Sequence, residues 1–241
     1  MRLATLLCVF LLAASTVRAD SDVPMIRLGQ APPAPPAADP ARVHAVERFL
    51  AERQEASTSR ILTSALRRQL MGSRQVDDDL LVGPRGAILL AFDFEDADVP
   101  TRGERGARFT LPVHLLFAKD DGEVVETRTE RLTFIASGGG WTCAAIVPTD
   151  VVTWDVSGTV DEANAAGIGA QMGALRQRLR SAPGQDRWSA YSLTDVETEG
   201  VGRVIVRCLR YSAARGKRGI EVDDEPVVLV KQGDSFRIDT N

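Results

Sequence analysis

Acid–base chemistry in this chain has only two imidazoles to draw on, His44 and His114. His114 stands on the polar side of the alternating run Arg108 to Phe117 and can face either solvent or a pocket. Two acidic runs, Asp77-Asp78-Asp79 and Asp93, Glu95, Asp96 and Asp98, raise the question of calcium. Calcium takes roughly six to eight converging oxygens, and neither run has the spacing or the glycine of an EF-hand loop. They read instead as a helix-to-strand loop and a solvated hairpin. Two distant histidines and two distant cysteines form no zinc spacing, so no metal and no cofactor are expected. The glycines of GIGAQMG (Gly167, Gly169, Gly173) fit neither a dinucleotide loop nor a P-loop and read as close helix-to-sheet packing. No GxSxG nucleophile setting occurs. Arg215-Gly216-Lys217-Arg218, facing Glu221 to Glu225, reads as a salt-linked hairpin and not as an anion site.

The N-terminus carries an address. Arg2, the apolar run Leu3 to Ala14 and the small residues of Val17-Arg18-Ala19 read as an export signal, residues 1–19. The run is shorter than the ~20 residues that span a bilayer, so cleavage without stable membrane insertion is expected, leaving a periplasmic or secreted protein. Of the 241 residues only Lys119, Lys217 and Lys231 are lysines, and arginine and alanine predominate, as in a GC-rich bacterial genome. The formal net charge is −4, and losing Arg2 and Arg18 makes it more negative, which argues against nucleic acid as a partner. Export removes Cys8 and leaves Cys143 and Cys208. An oxidising compartment permits a disulfide between them, and two buried thiols in separate sheets are the alternative.

Residues 20–39 form a proline-rich linker, extended around APPAPPAADP. Asp39-Pro40 then starts a helix, with Val43, Val46, Phe49 and Leu50 on one face. The polar run Glu52 to Ser59 interrupts it. Ser57 or Ser59 then caps a second helical stretch, Ile61 to Leu70, giving two helices or one kinked one. Two strands follow. Ile88, Leu90, Phe92 and Phe94 mark the apolar face of the first, and Phe109, Leu111, Val113, Leu115 and Phe117 that of the second. Pro112 places the second at a sheet edge or a bulge.

Glu123 to Ile146 reads as a strand, a glycine turn and a returning strand that opens on Trp141. Glu225 to Asp239 repeats it, with Val228 and Val230 matching Leu132 and Phe134, and Phe236 matching Trp141. Val151 to Val156 is either one more strand or the joint between the copies. Thr159 and Glu162 form a capping box for a helix carrying Val160 to Leu179. Tyr191 to Glu197, Val201 to Tyr211 and Ile220 to Lys231 follow as strands. The expected class is α+β, with helices packed on curved antiparallel sheets in two tandem units, 40–157 and a smaller 158–241.

Helices, then an antiparallel sheet that ends in a hydrophobic strand, a glycine turn and an aromatic strand, resemble the cystatin-like cone fold. They are similar in particular to the nuclear-transport-factor-2-like superfamily of exported bacterial proteins. Leu132 to Trp141 and Val228 to Ile238 carry the resemblance, across Pro40 to Asn241 as two cone-like units. It implies a pocket in each cone. Enzymes of the superfamily that isomerise or hydrate small apolar substrates use an Asp or a His there, which corresponds to Asp93 and His114 in this chain, with Asp93 as a desolvated base. The leading expectation is a non-enzymatic exported binding or interaction module, for a small apolar ligand or for an envelope protein docked at a sheet edge. An isomerase- or hydratase-like enzyme and a structural subunit of an envelope assembly are the alternatives.

Overall fold

Asp39 accepts a hydrogen bond from the backbone N–H of Ala41, and Pro40 takes the first helical position, so the first helix starts where these residue types favour it. The computed structural model describes residues 37–70, 78–101, 107–154, 156–180, 187–214 and 218–239. The expected signal (1–19) and the linker up to residue 36 lie outside the described residues, as do Asp77 and Arg215-Gly216-Lys217. Helix α1 is Pro40–Ser59. It runs straight through the polar stretch that was expected to break it, because the inward residues of that stretch find partners. Ser57 donates to the carbonyl of Val82 and accepts from the N–H of Leu89, both at 2.7 Å. Arg53 meets Glu130, as described below. α1 ends at Arg60 in the left-handed conformation, and a short α2, Ser64–Gln69, is capped by Thr63 rather than by Ser57 or Ser59. A further turn, α3 (Asp78–Val82), leads to the sheet.

The first sheet is an antiparallel meander, β1 (Ile88–Asp93), β2 (Arg108–Ala118), β3 (Val124–Ser137) and β4 (Gly140–Thr153). β3 and β4 form the long hairpin read from the sequence, and β4 takes in Val151 to Thr153. Phe109, Leu111, Val113, Leu115 and Phe117 face α1 and join Phe49, Leu50 and Phe134 in a close-packed core. The helix-facing side is thereby filled by side chains. In β1 a bulge between Leu89 and Ala91 breaks the expected alternation. Leu89, Phe92 and Phe94 face the helices, while Ala91 and Leu90 face the other way. Pro112 pairs with Arg131 on β3 and lies beyond the end of β1, whose ladder with β2 stops at His114. That stretch of β2 is a local edge and tolerates a missing N–H.

The second sheet has five strands: β5 (Arg187–Glu199), β6 (Arg203–Ala214), β7 (Glu221–Asp224), β8 (Val227–Gln232) and β9 (Ser235–Ile238). β7 and β8 both pair with β6, so the strand expected from Ile220 to Lys231 divides at Pro226. Helices α4 (Val156–Ala165) and α5 (Met172–Arg180) cover it, replacing the single helix expected over Val160 to Leu179. Gly167, at φ +79°, makes the turn between them, a Cβ on Gly169 would run into the Asn164 side chain of α4, and Gly173 has open space beside it within α5, so packing on the sheet is not what requires these glycines. Thr159 lies inside α4 with its hydroxyl 3.5 Å from the carbonyl of Leu193, so it is not a cap. Val227 and Leu229, not Val228 and Val230, are the core residues of β8. One residue along a strand is a change of face, so the equivalence drawn with Leu132 and Phe134 does not hold. Phe236 does pack on its core as Trp141 does on the first.

Each sheet has its own helices and its own core, and a third apolar cluster joins them. Ala91, Leu116, Ala118 and Val124 of the first sheet meet Ala190, Tyr211 and Ala213 of the second. Backbone bonds reinforce this seam, from the N–H of Tyr191 to the carbonyl of Gly122 (2.9 Å) and from Gly219 to Phe92 (3.2 Å). The architecture is α+β with open, curved antiparallel sheets.

Candidate functional site

The face of the first sheet turned away from its helices carries one polar residue per strand in a single cross-strand row. Asp93 ends β1 opposite His114, His114 stands opposite Thr129, and Thr129 opposite Asp150. Directly opposed residues bring Cβ atoms to about 4.5–5.5 Å, so the row is a continuous strip of carboxylate, imidazole, hydroxyl and carboxylate. The next row along, Ala91, Leu116, Thr127 and Val152, is largely apolar.

Where the second sheet lifts away from the seam, the two rows open into a recess of about 280 Å³. Leu116 and Thr127 line it beside the polar row, and Tyr211, Ile220 and Val222 close it from the second sheet. His114 and Asp150 are exposed at its mouth, Asp93 is half-buried, and Leu116 and Tyr211 are buried at its depth. Burial pushes the Tyr211 phenol up, so the ring presents a neutral hydroxyl. The His114 Nδ1 and the Thr129 hydroxyl are 3.1 Å apart, which fixes the ring and leaves Nε2 for a ligand. Asp93 is held locally, its Oδ1 accepting the N–H of Phe94 at 2.8 Å. Asp93 and His114 are thus brought side by side by strand pairing, yet no hydrogen bond or ion pair joins them among the described residues.

The other residues singled out in the sequence fall elsewhere. His44 is exposed on α1. Asp96 and Asp98 form a single 3-10 turn, and Asp96 pairs with Arg218 at 2.5 Å. Arg218 also reaches Glu47 and covers the ring of Phe94, so it ties the second sheet to the first and does not face Glu221 to Glu225. Among the described residues no three His, Cys, Asp or Glu side chains converge on one point. Cys143 and Cys208 are free thiols buried in two different cores, so the disulfide weighed from the sequence is not made. Burial raises both thiols to about 12, as expected of small hydrophobes and not of reactive thiolates.

Sequence reading missed Thr129, Asp150, Tyr211, Ile220 and Val222. The hydroxyl stripe Thr127, Thr129 and Thr133 on one face of β3 is the one local signal of the row. Its match to Asp150 depends on two register shifts in the β3–β4 ladder. The ion pair of Arg53 with Glu130 was also missed. Both side chains are fully buried, joined by bonds of 2.5 and 2.9 Å, with the carbonyls of Leu80 and Leu81 taking two further Arg53 N–H groups. Arg128 borders the recess but turns its guanidinium to this pair and over Phe117. No family model, no curated protein and no solved structure matches this chain.

Proposed function

We propose that the chain is an exported binding module that holds a small, partly apolar molecule in the recess between its two sheets. The single observation that carries this is the aligned row Asp93, His114, Thr129 and Asp150 beside the apolar wall of Leu116, Ile220 and Val222. Small-molecule sites combine an apolar wall with a few convergent polar groups, and a recess of about 280 Å³ sits at the low end of their usual ~300–1,000 Å³. The ligand is therefore compact, and its polar edge supplies donors or a positive charge to the two carboxylates. The cone-like reading of the two units, the residue ranges 40–157 and 158–241, and the cystatin-like and nuclear-transport-factor-2-like kinship belong to this proposal. The pocket it uses lies on the outer side of the sheet, since the helix side is filled.

Native mass spectrometry of the mature protein, purified without detergent from its own cells, tests the reading. A bound small molecule is expected, and Val222→Trp, an exposed rim position, should remove it. A protein that carries no small molecule and gains none from an extract of the same cells would sink the proposal. A large co-purifying assembly would favour the structural-subunit alternative.

A second reading, an isomerase- or hydratase-like enzyme, draws on the adjacency of Asp93 and His114. The missing bond between them favours binding over proton relay. Asp93→Asn separates the two readings: an enzyme loses turnover of its substrate, whereas a binding module only changes its affinity.

A further inference from the structure

Tyr191, on the helix-covered face of β5, borders a second cavity of about 430 Å³ beneath α5, together with Asp121, Gly173, Arg176, Gln177 and Arg180. The Tyr191 side chain is fully buried, and its hydroxyl has no hydrogen-bond partner among the described residues. The same holds for Nε of Arg176. Buried polar groups in folded proteins are paired in roughly nine cases out of ten, so two such donors at one cavity need a cause. The acids here are already engaged. Asp121 Oδ1 accepts the N–H of Glu123 at 3.0 Å, and the buried carboxylate of Glu123 is shared between Lys119 and, at 3.5 Å, Arg176. Arg180 makes one long bond, 3.4 Å, to the carbonyl of Asp120.

Both orphaned groups can donate. Burial, with Asp121 nearby, raises the Tyr191 phenol to about 12, so its proton stays in place at neutral pH. Arg176 and Arg180 are one turn apart on α5 and project from the same side of the helix. Two guanidinium forks and a phenol O–H complement an oxyanion that accepts several bonds. Asp121 and Glu123 beside them disfavour a doubly charged group, which selects a carboxylate over a phosphate. We propose that this cavity binds the carboxylate of a small organic acid, gripped by Arg176 and Arg180 with the Tyr191 hydroxyl donating a further bond. The site is separate from the inter-sheet recess. It spans the β2–β3 turn and α5, so an occupant would tie the two sheets together.

Calorimetric titration of the full chain with butyrate, at constant ionic strength, tests the assignment, with inorganic phosphate as the competing probe. Saturable butyrate binding is expected, weakened roughly tenfold or more in Arg180→Gln and less in Tyr191→Phe. Val222→Trp, at the other site, should leave it unchanged. The ligand-free Tyr191→Phe protein should melt no lower than the parent, because the deleted hydroxyl has no internal partner. No saturable binding, equal affinity in both variants, or a preference for phosphate would overturn the proposal. So would a lowered ligand-free melting temperature in Tyr191→Phe, which would make the hydroxyl a structural group.

Discussion

Breaking the buried pair Arg53 and Glu130 has a large consequence, because Glu130 is the one carboxylate paired with Arg53 among the described residues, out of reach of water. Glu130→Ala leaves an uncompensated guanidinium in the core and should cost about 3–5 kcal/mol in denaturant unfolding. The double variant Arg53→Met with Glu130→Leu should cost less than that single change, since apolar side chains of similar volume replace the buried pair and Arg128 keeps its second partner, Glu126. A double variant less stable than Glu130→Ala would show that the pair holds more than itself. The buried thiols and phenol set an alkaline limit. Cys143 and Cys208, ordinarily at 9.0, are raised to about 12, and Tyr191, ordinarily at 10.0, is raised to about 12. The unfolded chain loses the thiol protons above pH 9 and the phenol proton above pH 10, while the folded chain keeps them. Stability is thus fully present below pH 9 and falls towards pH 12, by about 1.4 kcal/mol per pH unit for each group titrating in that window. Denaturant midpoints at pH 8 and pH 11 check this, and Cys208→Ala should flatten the fall. Both thiols should resist alkylation in the native protein and react once it is unfolded.

Among the elements, the link from α3 to β1 is tightly constrained. Gly83 adopts φ +82°, and a Cβ there would lie 2.1 Å from the ring of Phe117. Gly83→Ala therefore combines left-handed strain with overpacking and should lower stability by about 2 kcal/mol or more, read as a shifted denaturant midpoint. A loss below half of that would mean that Phe117 swings aside at little cost. β4 is the long free edge of the first sheet and exposes Val147, Val151 and Val152. Pro148 and Asp150 interrupt it with a missing donor and a charge, two devices that discourage strand addition.

At the scale of the whole molecule, the seam decides whether the two sheets behave as one. The cluster around Leu116, Val124 and Tyr211, the bonds from Tyr191 to Gly122 and from Gly219 to Phe92, and Arg218 on Phe94 all cross it. Unfolding should therefore be a single transition, with tryptophan fluorescence and far-ultraviolet circular dichroism coinciding. Two separated transitions would mean that the halves fold independently. The recess exists only because this seam closes one end of the outer sheet face and leaves the other open, so its contents depend on both halves.

The local chemistry of the sequence determined the start of α1 at Asp39-Pro40, the glycine-turned β3–β4 hairpin, the alternating core face of β2 and the α+β class. These follow from capping, turn and period-two rules that act within a few residues. It did not determine that α1 continues past Glu52, because that depends on Glu130, Val82 and Leu89 arriving from far along the chain to satisfy Arg53 and Ser57. Nor did it determine the bulge that turns Ala91 outward, which is favourable only when a second sheet covers that face. Asp93 and His114 could be named from the sequence only through a resemblance. Their alignment with Thr129 and Asp150, and the wall of Tyr211, Ile220 and Val222 above them, are products of strand register and sheet packing. Those are set by long-range burial, and no short stretch of residues encodes them.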